Sequence, residues 1–352
     1  MDAPVLHGTR KMTYEEFAAP SPGPGEVVVD VGLCGICGSD LHLYDNAEAP
    51  DGIVLGHEFG GTISAIGEGV DGWSIGERVV GAPQDPCLNC WFCRGGEPHL
   101  CMHHYRIEMA LAGEERGMSA LGAMGYAPQA IIQAPRLMHL PDALDDRQAA
   151  SVEPAAVGYH AVRYSGMSVG DRVAVIGAGP IGLFTTQAAR VAGASNVVAL
   201  ELSESRSAAA RQLGADTVLD PGDFDDSEAI QTAVNDALGG PPDTVFDAAG
   251  VPSTLQQAVD LVKVDGHVMM VGVSFDPAPI QPSTWVTKRV AVRAAFAYNR
   301  EDYRHTIALL ERGTIQVEPL ISSVVPGSET PEAFERLLGP NDEIKVLVDP
   351  RK

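Results

Sequence analysis

The sequence has no basic surplus, no long apolar run and, outside one region, no cysteine. Its 24 Lys and Arg residues face 47 Asp and Glu, a net charge of -23, which repels phosphate backbones and anionic lipid surfaces. Neither nucleic acid nor a membrane is therefore an expected partner. No stretch approaches the roughly 18 uninterrupted apolar residues of a membrane span. Met1–Arg10 has no basic segment followed by an apolar run, so a cytoplasmic protein is expected. All six cysteines fall between Cys34 and Cys101. Without a secretion signal, such clustering favours bound metal over disulfides, because the cytosol keeps thiols reduced.

A chain of 352 residues exceeds what one hydrophobic core usually organises, so two domains are expected. The first part is punctuated by turns such as Pro20-Ser21-Pro22-Gly23-Pro24-Gly25, ahead of the strand-like run Glu26 to Val31. Short strands at Gly60 to Ile66 and Glu77 to Gly81 continue a mainly β texture. Near Ser151 Ala-rich helical stretches begin to alternate with apolar strands: Arg172 to Ile176, Gly179 to Ala192, Asn196 to Leu200, then Thr244 to Phe246 and His267 to Val271. That alternation predicts βαβ units on a doubly wound parallel sheet, an α/β fold. After Val292 it loosens, and the tail Lys345-Val346-Leu347-Val348 is suited to return a strand to the first domain.

Between the first of those strands and its helix lies Gly177-Ala178-Gly179-Pro180-Ile181-Gly182. In a G-x-G-x-x-G so placed, Gly177 permits the tight turn, Gly179 lets a pyrophosphate approach the helix N-terminus, and Gly182 allows close packing of helix on strand. The next strand ends at Glu201, 19 residues after Gly182, where a carboxylate accepts from ribose hydroxyls and repels a 2′-phosphate. NAD is thus favoured over NADP, with Arg206 close enough to blur the choice.

Cys87-x2-Cys90-x2-Cys93-x7-Cys101 sets four thiols in a short loop. Four sulfurs without a spare ligand suit a closed, tetrahedral structural zinc. A second set, Cys37, His57-Glu58 and Glu153, is dispersed, and spacing alone does not join it.

What joins it is resemblance. G-I-C-G-S-D-L-H (35–42), G-H-E-F-G-G (56–61), the four-cysteine lobe, V-E-P (152–154) and the glycine motif follow one another as in the zinc-containing medium-chain dehydrogenase/reductase family, nearly end to end. The resemblance implies a GroES-like catalytic domain over residues 1–152 with its structural-zinc lobe at 87–101. A Rossmann NAD-binding domain over 153–292 and a return to the catalytic domain over 293–352 would follow. It implies a catalytic zinc surrounded by Cys37, His57 and Glu153, with Glu58 a ligand or a carboxylate just beyond, exchanging with water. Glu153 resembles the polyol, butanediol and threonine dehydrogenase branch, where the familiar alcohol dehydrogenases carry cysteine; direct or water-mediated binding both stay open. Two zinc ions per chain, a secondary alcohol or ketone as substrate and a homodimer or homotetramer complete the expectation. Zinc would act as a Lewis acid on the substrate hydroxyl, with hydride passing to the nicotinamide. Ser39 and His42 resemble the family's proton relay; the alternative is that Ser39 caps a helix beginning near Asp40, itself read as local hydrogen bonding.

Ala295-Phe296-Ala297-Tyr298-Asn299 tilts the resemblance towards butanediol dehydrogenases and small diols. Gly125-Tyr126-Ala127-Pro128-Gln129-Ala130 departs from the family's G-G-F-A-E-Y, which would alter the local strand and pocket. Tyr105 to Gly122 is suited to cover the site, and Tyr44 and Trp91 are pocket candidates. Two rivals remain: a zinc-free quinone reductase, against which Cys37, His57 and the lobe argue, and a non-enzymatic NAD-binding protein of the same fold.

Overall fold

The computed structural model describes residues 1–46, 49–81, 87, 89–101 and 124–352, so the stretch Tyr105 to Gly122 lies outside the described residues. These form two units, Met1–Glu153 with Ile321–Lys352, and Pro154–Leu320. No described helix is long and apolar enough to cross a membrane.

The first unit contains β1 (Asp2–His7), β2 (Met12–Glu16), β3 (Glu26–Gly35), α1 (Gly38–Asp45), β4 (Asp51–Ile53), β5 (Glu58–Ile66), β6 (Arg78–Gly81), α2 (Trp91–Arg94), β7 (Gln129–Gln133) and β8 (Leu137–His139). Helix α3 (Asp146–Tyr164) carries the chain out of it, and β15 (Ile321–Pro326), α10 (Thr330–Leu338) and β16 (Lys345–Asp349) bring it back. One sheet runs β2-β1-β4, the other β15-β16-β3-β5-β6-β8 with β7 also on β3. Strand β3 is the hub, antiparallel to β5, β7 and β16. Its Val27, Val29 and Val31 enter a core with Phe59, Ile63, Tyr126, Phe334 and Val348, as the turn-then-valine pattern predicts.

The second unit alternates β9 (Arg172–Ile176), α4 (Pro180–Val191), β10 (Asn196–Leu200), α5 (Glu204–Gln212), β11 (Thr217–Leu219), α6 (Ser227–Leu238), β12 (Thr244–Asp247), α7 (Thr254–Leu261), β13 (His267–Met270), α8 (Pro282–Lys288), β14 (Ala291–Ala294) and α9 (Arg300–Glu311). All neighbours in its sheet, β11-β10-β9-β12-β13-β14, are parallel. Counted from β9 this is the strand order 3-2-1-4-5-6 of dinucleotide-binding folds. Both sheet faces are covered, which is why β9 reads as continuous apolar residues instead of alternating ones. Ala174 and Ile176 pack with Ile230 and Val259 on one side; Val173 and Val175 pack with Val162 and Ala188 on the other.

The return to the first unit comes at Ile321, not at 293 as the loosening pattern suggests. Residues 293–320 stay with the second unit for two reasons. Strand β14 completes the parallel sheet against β13, and Gln187 of α4 both donates to the Gln316 carbonyl (3.0 Å) and accepts from its N–H (2.7 Å). The edge strand is mostly exposed and so lacks the apolar signature of its neighbours.

Asp243, just before β12, ties three segments together. Its Oδ2 accepts from the backbone N–H (2.8 Å) and Nε (3.1 Å) of Arg172, and its Oδ1 from Lys263 Nζ (2.6 Å). Partial burial raises this carboxyl, but Arg172 and Lys263 outweigh it and bring it down to about 2 from 3.8. A depressed folded-state value contributes stability above the unfolded value and loses it as pH falls through the folded one. Asp243→Asn is expected to cost roughly 1–3 kcal/mol near neutrality. In urea titrations the gap from wild type should be constant down to about pH 4 and shrink below it; a pH-independent gap would contradict this account.

Candidate metal centre and dinucleotide loop

The metal centre follows from strand register. Antiparallel pairing of β3 with β5 sets Gly35 opposite Glu58. Cys37 lies two residues beyond Gly35 and His57 one before Glu58, so all three leave the same end of the strand pair. The donor atoms of Cys37, His57 and Glu58 lie within 4.8 Å of one another. Gly35 is needed here because a Cβ on it would overlap the Glu58 carboxylate.

Glu58 is almost inaccessible to water and is bridged by Lys345 of β16, whose Nζ donates to Oε1 (2.9 Å), Oε2 (2.6 Å) and the Ile36 carbonyl (3.0 Å). Burial pushes the lysine pKa down, yet Glu58, then Cys37 and Glu153, hold it above its ordinary value. Glu153 is buried on α3 and close enough to act on Lys345, but it is not among the three donors that converge within 4.8 Å.

Cys37 caps α1, whose capping box uses Asp40: the Cys37 N–H donates to Asp40 Oδ2 (3.2 Å). Ser39 therefore is not the cap. It lies half-buried in the first turn, and His42 is exposed in the last. Asp40 does more than local bonding. It is buried, its Oδ1 faces His57 Nδ1 at 3.3 Å, and its Oδ2 accepts from the Tyr126 hydroxyl at 2.6 Å. Burial penalises the Asp40 carboxylate, but His57 and the Tyr126 hydroxyl hold it below the usual range. Burial likewise opposes the His57 imidazolium, and Asp40 and Cys37 overcome it, holding that pKa well above 6.5. A carboxylate on Nδ1 leaves Nε2 for a metal, the arrangement that orients ligating histidines. One soft thiolate, one imidazole and one carboxylate fit zinc, with room for a further ligand.

The lobe is built locally. Cys90 precedes α2, and Cys101 ends the short 3-10 turn Pro98–Leu100. The four Sγ atoms of Cys87, Cys90, Cys93 and Cys101 lie within 4.8 Å of one another, and none of the six cysteines is disulfide-bonded. The Cys90 sulfur is 3.5 Å from that of Cys93 and 3.9 Å from that of Cys101. Sulfurs 2.3 Å from a tetrahedral centre are about 3.8 Å apart, so zinc fits. The N–H groups of Asn89 and Cys90 point at Cys87 Sγ; the first of these bonds leads in drawing its pKa down.

In the second unit, Gly177 has φ +88 and a Cβ there would press on the Ala249 backbone, while one on Gly182 would overlap the Gly177 carbonyl. Gly179, the N-cap of α4, differs: a Cβ would meet nothing within 4 Å. Its smallness serves no packing need and leaves the helix N-terminus approachable, a cradle suited to a pyrophosphate. Pro180 opens the helix, where its missing N–H costs nothing, and Ile181 packs on the core beneath. Glu201 stands at the end of β10, as expected, and is buried. It already holds the loop: Oε2 accepts from the Ala178 N–H (2.7 Å), Oε1 from those of Leu202 (3.0 Å) and Ser203 (2.9 Å). Arg206 sits in the first turn of α5, its N–H on the Ser203 hydroxyl.

Other expectations change. Tyr44 is a core residue, its ring edge-on to Phe334 (5.3 Å) and its hydroxyl on Glu335 (2.7 Å). Trp91 is 82% exposed on the lobe. Tyr298 stacks on Tyr303 (4.9 Å) and Asn299 caps α9, so packing and capping account for that segment. Lys345 and Tyr126 were not anticipated. A lysine opening an otherwise apolar strand was the available signal for the first, and the departure at G-Y-A-P-Q-A for the second.

Residues 23–142 match the alcohol dehydrogenase GroES-like domain and residues 180–312 the zinc-binding dehydrogenase family. The chain is 32% identical to (R,R)-butanediol dehydrogenase of Bacillus subtilis (strain 168), covering 99% of this chain and all of that one. It is 31% identical to sorbitol dehydrogenase of Bombyx mori, over 98% and 97% of the two chains. A zinc-binding dehydrogenase from Sinorhizobium meliloti 1021, solved with NADP, superposes with a TM-score of 0.88 at 31% identity over 99% of each chain. With both halves matched and the relatives spanned end to end, the chain belongs to the zinc-dependent medium-chain dehydrogenase/reductase family of alcohol and polyol dehydrogenases.

Proposed function

We propose that this protein transfers a hydride between a secondary alcohol, of the small diol, polyol or sugar class, and NAD, with one zinc at Cys37, His57 and Glu58 and a second in the four-cysteine lobe. The observation that carries the reading is the convergence of those three donors within 4.8 Å from opposite strands of the β3–β5 pair. The chemistry that bound zinc supplies is Lewis acidity towards an alcohol oxygen, and bound nicotinamide supplies the hydride acceptor. Cys37 and His57 would hold the metal; Glu58, whose two oxygens accept from Lys345, would be a ligand or a carboxylate just beyond, and Glu153 would complete the set directly or through water. Ser39 and His42, three residues apart on one face of α1, take the substrate hydroxyl proton outward from Ser39 Oγ to the His42 imidazole and solvent.

The preference for NAD rests on Glu201. Its carboxylate at the end of β10 disfavours a 2′-phosphate, although the Sinorhizobium relative was solved with NADP. We place the enzyme in the cytoplasm, where six cysteines that form no disulfide remain reduced. Association is proposed through β14, whose outer edge pairs with no other strand among the described residues. Around it Val273, Phe275, Val286 and Phe296 are exposed, and α8 buries none of its residues. An open, apolar edge is a template for a second strand, and a second copy of the chain supplies it in a homodimer or homotetramer.

Four outcomes are expected. Elemental analysis finds two zinc ions per chain, and Cys37→Ala removes one of them and abolishes turnover while sparing the lobe. A panel of vicinal diols, sugar alcohols, cyclitols and β-hydroxy amino acids yields NADH with at least one class; a fully metal-loaded preparation inert to all of them, and to the matching ketones with NADH, would sink the function. Glu201→Ser lowers kcat/KM for NAD by roughly tenfold and favours NADP in relative terms, whereas a wild type already better with NADP would contradict the role of Glu201. Light scattering at micromolar concentration gives a dimer or tetramer, and a monomer would refute the β14 contact.

A further inference from the structure

We propose that the Tyr126 hydroxyl is a positioning group for the metal, acting through Asp40 on His57; the inference rests on the metal-centre reading above. Tyr126 is fully buried, and its hydroxyl has two acceptors within reach, Asp40 Oδ2 at 2.6 Å and the Gly35 carbonyl at 3.2 Å. It has one proton. The carboxylate is the closer and stronger acceptor, because bonds to an ionised oxygen are about twice as strong as neutral ones.

The consequence lies in how the two Asp40 oxygens are divided. Oδ2 is taken by the Tyr126 hydroxyl and the Cys37 N–H, so the carboxylate is fixed in rotation and Oδ1 is left to face His57 Nδ1. The imidazole plane is set by that contact, and with it the direction of Nε2. The phenol ring is itself held. Phe334 of α10 packs edge-on against it (5.8 Å, 89°), and the Gly56 position next to it leaves no space for a Cβ, which would press on the Tyr126 backbone N.

Packing does not explain the hydroxyl. A phenylalanine would fill the same space without the hydroxyl. Burying a hydroxyl costs stability unless it is bonded, and here its best partner is the carboxylate that orients a metal ligand. The chain of contacts runs from Phe334 through Tyr126 and Asp40 to His57.

The test is Tyr126→Phe in the full-length protein, read by zinc release to a chelator. The relevant phase is the one that Cys37→Ala removes, which separates it from the lobe zinc. Outer partners of metal ligands are worth about 10–100-fold in affinity, and release is expected to speed up roughly tenfold, with a shift in the visible bands of the cobalt-substituted protein. In an Asp40→Asn background the same change should have no further effect, a non-additivity that simple loss of packing does not produce. Wild-type release and an unshifted cobalt spectrum in Tyr126→Phe overturn the proposal, as does full additivity with Asp40→Asn. If Tyr126→Phe fails to fold, fluorinated tyrosine at position 126 keeps the shape and strengthens the donor; an unchanged cobalt spectrum then overturns it equally. If Cys37→Ala keeps its full zinc content, the metal-centre reading itself fails and this proposal with it.

Discussion

Glu58 and Lys345 are both nearly sealed from water and bonded through both carboxylate oxygens, and the first unit is arranged around the need to keep them paired. Stripping water from two charges is expensive, and leaving either alone costs roughly 3–5 kcal/mol. The pair therefore forbids register slips among the strands that carry it. Glu58 opens β5, Lys345 opens β16, and the same ammonium takes the Ile36 carbonyl just past β3. Cys37 and His57 are the next residues along these strands, so the ion pair that fixes the strand ends also fixes the metal donors.

Charge explains why the arrangement asks for a metal. Glu58, Cys37 and Glu153 act on one lysine, while Asp40 and Cys37 act on His57 and raise its proton affinity against its burial. A proton on that ring partly plays the part of a cation. Thiolate and imidazole ligands bind metal in their deprotonated forms, so occupation of such a centre would be linked to pH.

How much could be read from sequence depended on how local each feature is. The dinucleotide loop lies within one strand–turn–helix, and the strands Arg172–Ile176 and Asn196–Leu200 fall where their apolar runs lie. The zinc lobe closes within 15 residues, from Cys87 to Cys101. The metal centre is different: Glu58 and Lys345 are 287 residues apart, and Asp40 and Tyr126 are 86 apart. Residue types could not join Cys37 to His57; only resemblance did. Nothing in a single sequence states the strand register that sets His57 beside Asp40. Glu201 was found for its place at a strand end, but its hold on the Ala178 N–H was not legible, because that depends on how far the turn folds back over β10.

The two sites also differ in when they can form. The parallel sheet is made from one uninterrupted stretch, Pro154–Leu320, and its loop is shaped by backbone and by Glu201 from within that stretch. The donor cluster needs β16, because without Lys345 the buried Glu58 carboxylate loses the ammonium bonded to both its oxygens. Long-range contacts close late, after loop entropy has been overcome. Insertion of one unit within the other thus lets the half that carries the glycine loop form from one continuous stretch, whereas the half that holds Cys37, His57 and Glu58 needs segments from both sides of it.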